Sequence, residues 1–360
     1  MLKDNITING STVFITGVAG FIGANLAQRL LADYPECRVV GIDSITDYYD
    51  TSLKYERLNE LEKYGDRFVF VKGSISDRQA IDRIFKDYKP EIVVNLAAQA
   101  GVRYSIENPD AYVDSNLIGF YNILEACRHS NDPGNTPVQH LVFASSSSVY
   151  GSNKKVPYST DDKVDNPVSL YAATKKSNEL MAHAYAKLYD IPSTGLRFFT
   201  VYGPCGRPDM AYFGFTDKLV NGQTIKIFNY GDCKRDFTYI DDIVEGVIRV
   251  MRHAPERSKG EDGLPVPPYK IYNIGNNQPE NLLDFVRILQ EELVSAKILP
   301  TDFDFDAHTE MVPMQPGDVP VTYADTTPLE QDFGFRPSTP LRTGLRAFAQ
   351  WYAEKYHTDA

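Results

Sequence analysis

The sequence predicts an α/β fold in which a doubly wound parallel sheet is joined to a smaller mixed α/β lobe at the C-terminal end. Over the first half of the chain, short β-branched runs alternate with amphipathic segments of helical length. Strands separated by helices pair in parallel through right-handed crossovers. The predicted strands are continuous apolar runs, as expected when helices cover both faces of a sheet.

The first five predicted strands alternate regularly with helices. They are Thr12–Thr16, Arg38–Ile42, Phe68–Lys72, Ile92–Leu96 and His140–Ala144. The helices between them begin near Phe21, Thr51, Asp77 and Pro109, and a longer helix spans Leu170–Tyr189.

The alternation loosens after about residue 200, where Gly and Pro become more frequent. Helices are predicted in this part for Asp241–Met251, Asn281–Val294 and Leu341–Tyr356. We therefore expect a first domain over residues 1–200 and a second over residues 201–360, with late segments that interleave with the first domain.

Composition excludes several classes of protein. The chain has 360 residues, of which 42% are hydrophobic and 24% charged, an ordinary globular profile. Its net charge of -11 argues against nucleic acid and anionic membranes as partners. The four cysteines have no metal-ligand spacing, no signal peptide is evident and no run approaches the ~20 apolar residues of a membrane span. We expect a cytoplasmic protein without a metal site.

A glycine-rich turn follows the first strand and opens the first helix. Gly17, Gly20 and Gly23 have the spacing GxxGxxG, which lets a pyrophosphate approach the backbone and the helix N-terminus. Asp43 lies twenty residues beyond Gly23, at the end of the second strand. An acid there accepts a hydrogen bond from a ribose 2′-hydroxyl and repels a 2′-phosphate. The turn by itself is also consistent with a plain strand–helix connection, but in this context it favours an NAD-binding Rossmann domain.

Tyr171 and Lys175 are four residues apart on a predicted helix, so their side chains share a face. Tyrosine has a pKa of ~10 and is a poor base near neutral pH. A lysine cation and the positive nicotinamide ring would favour the phenolate and make Tyr171 a base for a sugar hydroxyl. This spacing also occurs by chance on amphipathic helices, and that interpretation remains open for the pair by itself.

A row of serines, Ser145–Ser148, directly follows the strand His140–Ala144. Ligands of doubly wound sheets bind at the carboxyl ends of strands, where such a row can hydrogen-bond a polyol. The alternative is a flexible serine-rich loop, but the abrupt transition from an apolar strand favours a site.

Together these sites resemble the extended short-chain dehydrogenases/reductases, and more closely their nucleotide-sugar epimerase and dehydratase branch. Longer strings extend the resemblance over roughly residues 10–356: QAGVRYS (99–105), RFFTVYGP (197–204), GRPDM (206–210), RDFTYIDD (235–242) and PGDV (316–319). The first and third of these strings are similar to those of UDP-glucuronate 4-epimerases in particular.

The resemblance implies inversion at C4 of a UDP-uronic acid, with bound NAD as a transient oxidant and a 4-keto intermediate. Tyr171 would take the proton of the 4-hydroxyl, Lys175 would orient the nicotinamide ribose, and Ser148 would hydrogen-bond the 4-oxygen. Two alternatives remain open: a 4-epimerase of another UDP-hexose, such as a glucose or N-acetylated type, and a non-catalytic NAD-binding scaffold.

The resemblance also implies two sets of contacts. Those with NAD come from Gly17, Gly20, Phe21, Ile22, Gly23, Asp43, Ser74, Ile75, Leu96, Ala97, Ala98, Tyr171 and Lys175. Those with the UDP-sugar come from Arg103, Ser146, Ser147, Ser148, Asn178, Thr200, Arg207, Arg235, Gln315 and Asp318.

Two of these roles are more specific. Ser146, Ser147 and Thr200 are expected to hold the sugar carboxylate, with Arg103 or Arg207 nearby. Arg235 is the candidate for the pyrophosphate, because a guanidinium suits phosphate oxygens; the alternative is a salt bridge with Asp236 or Asp241.

Some positions differ from relatives. Sugar 4,6-dehydratases carry an Asp-Glu pair at Ser147 and Ser148, and UDP-glucuronate decarboxylases a Glu at Ser148, so the serines argue for simple epimerisation. Ser74 replaces an Asp that contacts adenine in relatives, and Cys205 replaces a Trp in the loop near the sugar. The resemblance also implies a homodimer through the helices near 109–128 and 170–189, unless their alanines face the chain's own sheet.

Overall fold

A computed structural model describes residues 1–314 and 319–356. The strands are β1 (Thr12–Thr16), β2 (Arg38–Asp43), β3 (Phe68–Lys72), β4 (Ile92–Asn95), β5 (His140–Ser146), β6 (Ser193–Phe198), β7 (Thr200–Tyr202), β8 (Ile225–Ile227), β9 (Lys234–Tyr239), β10 (Ser258–Lys259), β11 (Pro265–Val266), β12 (Tyr269–Ile274), β13 (Pro279–Asn281) and β14 (Thr309–Met311).

The α-helices are α1 (Phe21–Asp33), α2 (Ser52–Glu62), α3 (Arg78–Tyr88), α4 (Tyr104–Glu107), α5 (Pro109–Tyr112), α6 (Gly119–His129), α7 (Leu170–Tyr189), α8 (Ala211–Val220), α9 (Ile240–Met251), α10 (Leu282–Ser295), α11 (Thr327–Phe333) and α12 (Leu341–Tyr356). A π-helical stretch, Val113–Ile118, joins α5 to α6. A 3-10 turn, Ser147–Tyr150, follows β5.

Seven strands form one sheet in the order β12-β6-β5-β4-β1-β2-β3, and every neighbouring pair is parallel. This confirms the predicted doubly wound α/β fold. The first five strands begin at their predicted residues, and their ends differ from the prediction by at most two residues. Strand β12 comes from the second half of the chain and pairs with β6 at one edge of this sheet.

Apolar side chains cover both faces of this sheet. One face carries α1 and α9, with Leu26, Leu30 and Val247 fully buried against the strands. The other face carries α3, α6 and α7, with residues such as Ile81 and Phe120 in the core. Burial on both faces is the reason why the strands are continuously apolar, and it leaves the strand ends as the place for a polar site.

Smaller sheets lie in the second half of the chain. Strand β9 pairs in parallel with β7 and antiparallel with β13, and β14 pairs with β8. A second core joins α8, α10 and α12, where Phe213, Phe285 and Phe348 are buried. Leu53 of α2 belongs to this second core, so α2 packs against both parts of the molecule.

No helix within the described residues is long and apolar enough to cross a membrane.

Candidate active site

A cleft of about 980 Å³ opens at the carboxyl ends of β1, β2, β4, β5 and β6. Most of the predicted site residues line it: Gly17, Gly20, Phe21, Ile22, Gly23, Asp43, Ser74, Ile75, Leu96, Ala97, Ala98, Arg103, Ser146, Ser147, Ser148, Tyr171, Lys175, Thr200, Arg207 and Arg235. The fold therefore brings together residues that are up to 218 positions apart in the sequence, from Gly17 to Arg235.

The glycine turn has the geometry of an anion cradle. Gly17 has φ +70°, and a Cβ on it would lie 2.8 Å from the amide nitrogen of Ala97. A Cβ on Gly23 would lie 2.2 Å from the carbonyl oxygen of Gly17. Gly20 caps α1 without a side chain, so the first N–H groups of the helix are left to a ligand. These features fit the pyrophosphate of a dinucleotide.

Asp43 is buried at the end of β2 and holds the turn in place. Its Oδ2 accepts from the backbone N–H of Ala19 at 3.1 Å, and its Oδ1 accepts from the N–H of Ile45 at 2.9 Å. A carboxylate has about four acceptor positions, so two backbone bonds leave capacity for a ribose hydroxyl. Asp43 therefore shapes the turn in addition to its predicted contact with the ribose.

Tyr171 and Lys175 lie one turn apart on α7, facing the cleft. Lys175 Nζ lies 6.0 Å from the centre of the Tyr171 ring and donates to the carbonyl oxygen of Ala144 at 3.0 Å. Burial lowers the pKa of Lys175 to about 8. Burial also raises the pKa of Tyr171, although Ser146 and the positive charge of Arg207 act in the opposite direction.

The pKa of Tyr171 is raised, whereas the sequence predicted that Lys175 would lower it. The ammonium group of Lys175 is turned to the Ala144 carbonyl, and the loss of water around the phenol outweighs the groups that favour its ionised form.

The serine row is ordered rather than flexible. Ser146 ends β5 and caps the 3-10 turn, where its Oγ accepts from the backbone N–H of Ser148 at 3.2 Å. The Ser148 hydroxyl donates to Ser146 Oγ at 2.9 Å. Ser146, Ser147 and Ser148 all line the cleft together with Tyr171, and Ser146 hydrogen-bonds the Tyr171 hydroxyl.

A buried ion pair fixes α7 against the sheet below this row. Glu179 receives a two-pronged contact from Arg197 of β6, with Nε to Oε1 at 2.8 Å and Nη2 to Oε2 at 2.9 Å. Ser145 Oγ donates to the same Oε1 at 2.7 Å. Because Glu179 is one turn beyond Lys175, these bonds set the position of the helix that carries Tyr171 and Lys175.

Arg207 and Asp209 form a second two-pronged pair, with Arg207 Nε to Oδ1 at 3.0 Å and Nη2 to Oδ2 at 2.6 Å. Tyr48 from the loop after β2 donates to Asp209 Oδ2 at 3.3 Å. Burial and the Asp209 charge raise the pKa of Tyr48 to about 12, so it stays a donor. The carboxylate of Asp209 therefore holds the arginine at the cleft wall.

The remaining predicted cations lie farther around the cleft. The guanidinium carbon of Arg103 lies 5.3 Å from the centre of the Phe228 ring. Arg235 Nη1 donates to the carbonyl oxygens of Lys234 and Pro320, both at 3.1 Å. Asp236 beside it points elsewhere: its carboxylate accepts from the N–H groups of Asn276, Asn277 and Ala324.

One predicted substrate residue, Asn178, is not among the residues that line the cleft. Asn178 is buried in α7, and its amide donates to the carbonyl oxygen of Asn116 at 2.7 Å, which joins α7 to the π-helical stretch. Gln315 and Asp318 lie outside the described residues. Ser74, in contrast, lines the cleft, but its Oγ is hydrogen-bonded to Ser76 Oγ at 2.9 Å.

Sequence reasoning missed Asn116, which organises the cleft floor. Its Oδ1 accepts from the N–H of Gln99 at 2.8 Å, and its Nδ2 donates to Gln99 O at 3.0 Å and to Thr174 Oγ1 at 3.1 Å. The residue thus connects the strand-end loop after β4 to the helix of Tyr171. A buried asparagine in a helix has no pattern that points to this role.

It also missed Arg57, Tyr48 and Asp209. Asp209 lies within the GRPDM string, so the string itself was the available signal. Arg57 and Tyr48 lie after β2, and no sequence pattern there indicated a role at the site.

No cluster of three or more His, Cys, Asp or Glu side chains suited to a metal ion occurs in residues 1–314 and 319–356.

Comparison with known proteins gives consistent matches. The model of the NAD dependent epimerase/dehydratase family matches residues 13–275. Protein CapI of Staphylococcus aureus is 50% identical over 350 residues, covering 96% of this chain and 99% of that protein. UDP-glucuronate 4-epimerase 4 of Arabidopsis thaliana is 46% identical over 360 residues, covering 98% of this chain and 78% of that protein.

A solved structure shares the fold over nearly the whole chain. The UDP-glucuronic acid 4-epimerase from Bacillus cereus, in complex with UDP-glucuronic acid and NAD, matches with a TM-score of 0.82 and 30% identity, covering 96% of this chain and 100% of that chain. The chain belongs to the NAD dependent epimerase/dehydratase family.

Proposed function

We propose that this protein is a UDP-glucuronate 4-epimerase, which interconverts UDP-glucuronate and UDP-galacturonate. The observation that carries the proposal is the cleft in which Tyr171, Lys175 and three serine hydroxyls meet with no carboxylate in the serine row. Two relatives support it: the UDP-glucuronate 4-epimerase 4 of Arabidopsis thaliana, and the Bacillus cereus epimerase in complex with UDP-glucuronic acid and NAD.

The cofactor is NAD, and the residues present fit it. The turn of Gly17, Gly20 and Gly23 holds the pyrophosphate, and Asp43 holds the adenosine ribose. Ser74, Ile75, Leu96, Ala97 and Ala98 border the rest of the cofactor side of the cleft. When bound, NAD supplies a reversible two-electron oxidation at the sugar carbon C4.

Side chains of this protein transfer the proton and orient the sugar. Tyr171 accepts the proton of the 4-hydroxyl as the carbon is oxidised and returns it when the carbon is reduced. Ser148 hydrogen-bonds the 4-oxygen and holds it beside the Tyr171 hydroxyl. Lys175, fixed by the Ala144 carbonyl, orients the cofactor ribose beside the tyrosine. Epimerisation follows if the 4-keto sugar turns over and is reduced on its other face.

A uronic acid imposes a further demand, because oxidation at C4 makes a β-keto acid that loses carbon dioxide readily. The enzyme must hold the carboxylate away from the geometry that allows this loss. Ser146, Ser147 and Thr200 supply hydroxyl donors for the purpose, and Arg103 and Arg207 supply positive charge. Arg235 binds the pyrophosphate. The second domain, residues 201–360, is the UDP-sugar-binding lobe and contributes Arg207 and Arg235, whereas the first domain, residues 1–200, binds NAD and carries Tyr171, Lys175 and the serine row.

A 4-epimerase for another UDP-hexose is the alternative within the same chemistry. The hydroxyl-rich wall and the nearby arginines favour an anionic sugar over glucose or an N-acetylated sugar. A non-catalytic scaffold is disfavoured because Tyr171, Lys175 and Ser148 are all present at the cleft.

The proposed assembly is a homodimer formed through α6 and α7. Tyr121, Leu180 and Leu188 are exposed on these helices, at 43%, 60% and 69%. Ala172, Ala182 and Ala186 are fully buried within the chain, so these three alanines face its own sheet rather than a partner. The four cysteines are free thiols, which agrees with the proposed cytoplasmic location.

A panel of UDP-sugars tests the function. The purified protein is incubated separately with UDP-glucuronate, UDP-galacturonate, UDP-glucose and UDP-N-acetylglucosamine, and products are read by NMR. We expect the two uronates to interconvert without a pentose product. Faster turnover of a neutral sugar would favour the alternative substrate, and absence of turnover on all four would favour the scaffold.

A further inference from the structure

The guanidinium group of Arg57 lies between the two halves of the site. Its Nη1 donates to the carbonyl oxygen of Ala19 in the glycine turn at 3.0 Å, and to the Tyr49 hydroxyl at 3.0 Å. Its Nη2 donates to the carbonyl oxygens of Cys205 and Gly206 at 2.7 and 2.9 Å. Arg57 is 6% exposed and forms no salt bridge among the described residues.

The helix that carries Arg57 is already part of both halves. Leu53, one turn earlier, is buried in the core of α8, α10 and α12. Glu56 forms an ion pair with Lys355 of α12. The helix that carries Arg57 is therefore attached to the second core through Leu53 and Glu56.

The glycine turn, which is one partner of Arg57, is fixed by hydrogen bonds to β2. The N–H groups of Gly17 and Val18 donate to Ile42 O at 2.8 and 3.3 Å, and the N–H of Ala19 donates to Asp43 Oδ2. The position of Ala19 is thus fixed by β2 independently of Arg57.

The other partner of Arg57 is the loop Gly203–Asp209, which we call the sugar loop. Its conformation requires stabilisation. Cys205 has φ +56°, a left-handed conformation that is costly for a residue with a Cβ. A Cβ on Gly206 would lie 1.8 Å from the Tyr212 hydroxyl, so the loop is pressed against its neighbours. The two carbonyl groups that Arg57 binds belong to these two residues.

Arg207 follows Gly206 immediately and reaches the cleft, where it pairs with Asp209. The geometry points to Arg57 as a positioning residue: it fixes the sugar loop on the glycine turn and thereby sets the place at which Arg207 meets the anionic part of the UDP-sugar. The inference rests on the proposed substrate class and adds to it a residue that does not touch the substrate.

Lysine cannot replace Arg57 in this role. The planar guanidinium places two nitrogens about 2.3 Å apart and directs them to different carbonyl groups, whereas an ammonium is one point charge. Lysine at position 57 keeps the charge and much of the bulk, but its single ammonium group can hydrogen-bond the glycine turn or the sugar loop and not both.

The test is a double-mutant cycle on Arg57 and Arg207, read in purified holoenzyme as KM and Kd for UDP-glucuronate. We expect Arg57→Met to raise both about tenfold or more and to leave the content of bound NAD unchanged. In an Arg207→Met background, the same change should raise them less than about twofold, because Arg57 acts through Arg207. A merely structural role predicts the same factor in both backgrounds.

Two further variants keep the test decisive. Arg57→Lys is expected to restore the Tm if Arg57→Met lowers it, while KM stays raised. Arg67→Met is the matched control, because Arg67 also donates to a backbone carbonyl, Tyr34 O at 3.2 Å, but away from the cleft. Its KM should equal that of the wild type.

Three outcomes would overturn the inference: equal factors in the two backgrounds, a normal KM in Arg57→Lys, or loss of NAD as the main effect. The failure of the proposed function is a different result, namely wild-type protein that binds UDP-glucuronate without producing UDP-galacturonate. If UDP-glucuronate does not bind, the cycle is read as the Kd of the tightest-binding UDP-sugar of the panel.

Discussion

Tyr171 is the residue on which the proposed chemistry depends, and its surroundings explain how it is restrained. Burial raises its pKa, while Ser146 and Arg207 favour the ionised form. Without the cofactor, Tyr171 is therefore a neutral hydroxyl near neutral pH. The positive charge of a bound nicotinamide ring would favour the phenolate further, so Tyr171 would act as a base in the enzyme that holds NAD.

Removal of this hydroxyl tests the assignment. Tyr171→Phe should lower kcat for UDP-glucuronate by about 10³-fold, since a general base contributes about 10²–10⁴-fold, and should change the Kd of the substrate little. Tyr185→Phe is the control, because Tyr185 is on the same helix but donates to Glu125 away from the cleft. A similar loss in both variants would contradict the role of Tyr171.

Thr200 tests the carboxylate pocket. Valine keeps the shape of threonine and removes the hydroxyl, so Thr200→Val should reduce turnover of UDP-glucuronate more than any turnover of UDP-glucose. The same preparation should release more carbon dioxide per turnover, because the carboxylate is held less firmly. Steady-state rates with both sugars measure the difference, and equal losses would argue against a carboxylate contact.

At the scale of elements, His140 ties two strands and a helix together. It lies fully buried on β5, where its Nε2 is 2.9 Å from Thr194 Oγ1 of β6 and its Nδ1 is 3.4 Å from Met251 O at the end of α9. Burial lowers its pKa to about 4. The folded protein therefore keeps a neutral imidazole at pH values at which the unfolded chain binds a proton.

The pH dependence of the stability follows from this difference in proton binding between the folded and unfolded chain. Between pH about 6.5 and about 4, the unfolded state binds more protons than the folded state, so stability falls as pH falls, by about 3 kcal/mol from this group. His140→Gln does not titrate and should lose less stability over this range in urea unfolding. His129→Gln serves as the control, since the His129 side chain is 45% exposed whereas His140 is fully buried; parallel curves for His140→Gln and wild type would refute the assignment.

The elements were predictable where the signal is local. Strand and helix periods, the glycine turn and the Tyr171–Lys175 spacing are written in neighbouring residues, and the structure places them as expected. Arg57 and Asn116 were not predictable, because most of their partners are backbone groups that every residue carries. The residue types at positions 19 and 206 do not indicate that their carbonyl groups contact Arg57, which is 38 and 149 positions away in the sequence.

At the scale of the whole molecule, the charge of -11 describes the surface rather than the site. The proposed ligand carries a pyrophosphate and a carboxylate, and the cleft that would take it is lined by Arg103, Lys175, Arg207 and Arg235. An acidic protein can bind an anion in this way because cations and hydroxyl donors are concentrated in one place.

The proposed homodimer gives a prediction at the same scale. Leu180→Glu with Leu188→Glu should convert a species of twice 40.5 kDa into one of 40.5 kDa in light scattering, because charges replace the exposed apolar side chains of α7. Leu264→Glu is the control, since Leu264 is 64% exposed but lies between β10 and β11. A wild-type protein of 40.5 kDa would exclude this dimer.

The central claim is inversion at C4 by transient oxidation of that carbon with bound NAD. It is tested most directly with UDP-glucuronate that carries deuterium at C4, incubated with the purified protein in ordinary water and followed by NMR. The account predicts UDP-galacturonate that retains deuterium at C4, since the hydrogen removed from this carbon is the one that returns to it. Galacturonate with solvent hydrogen at C4 would contradict the account.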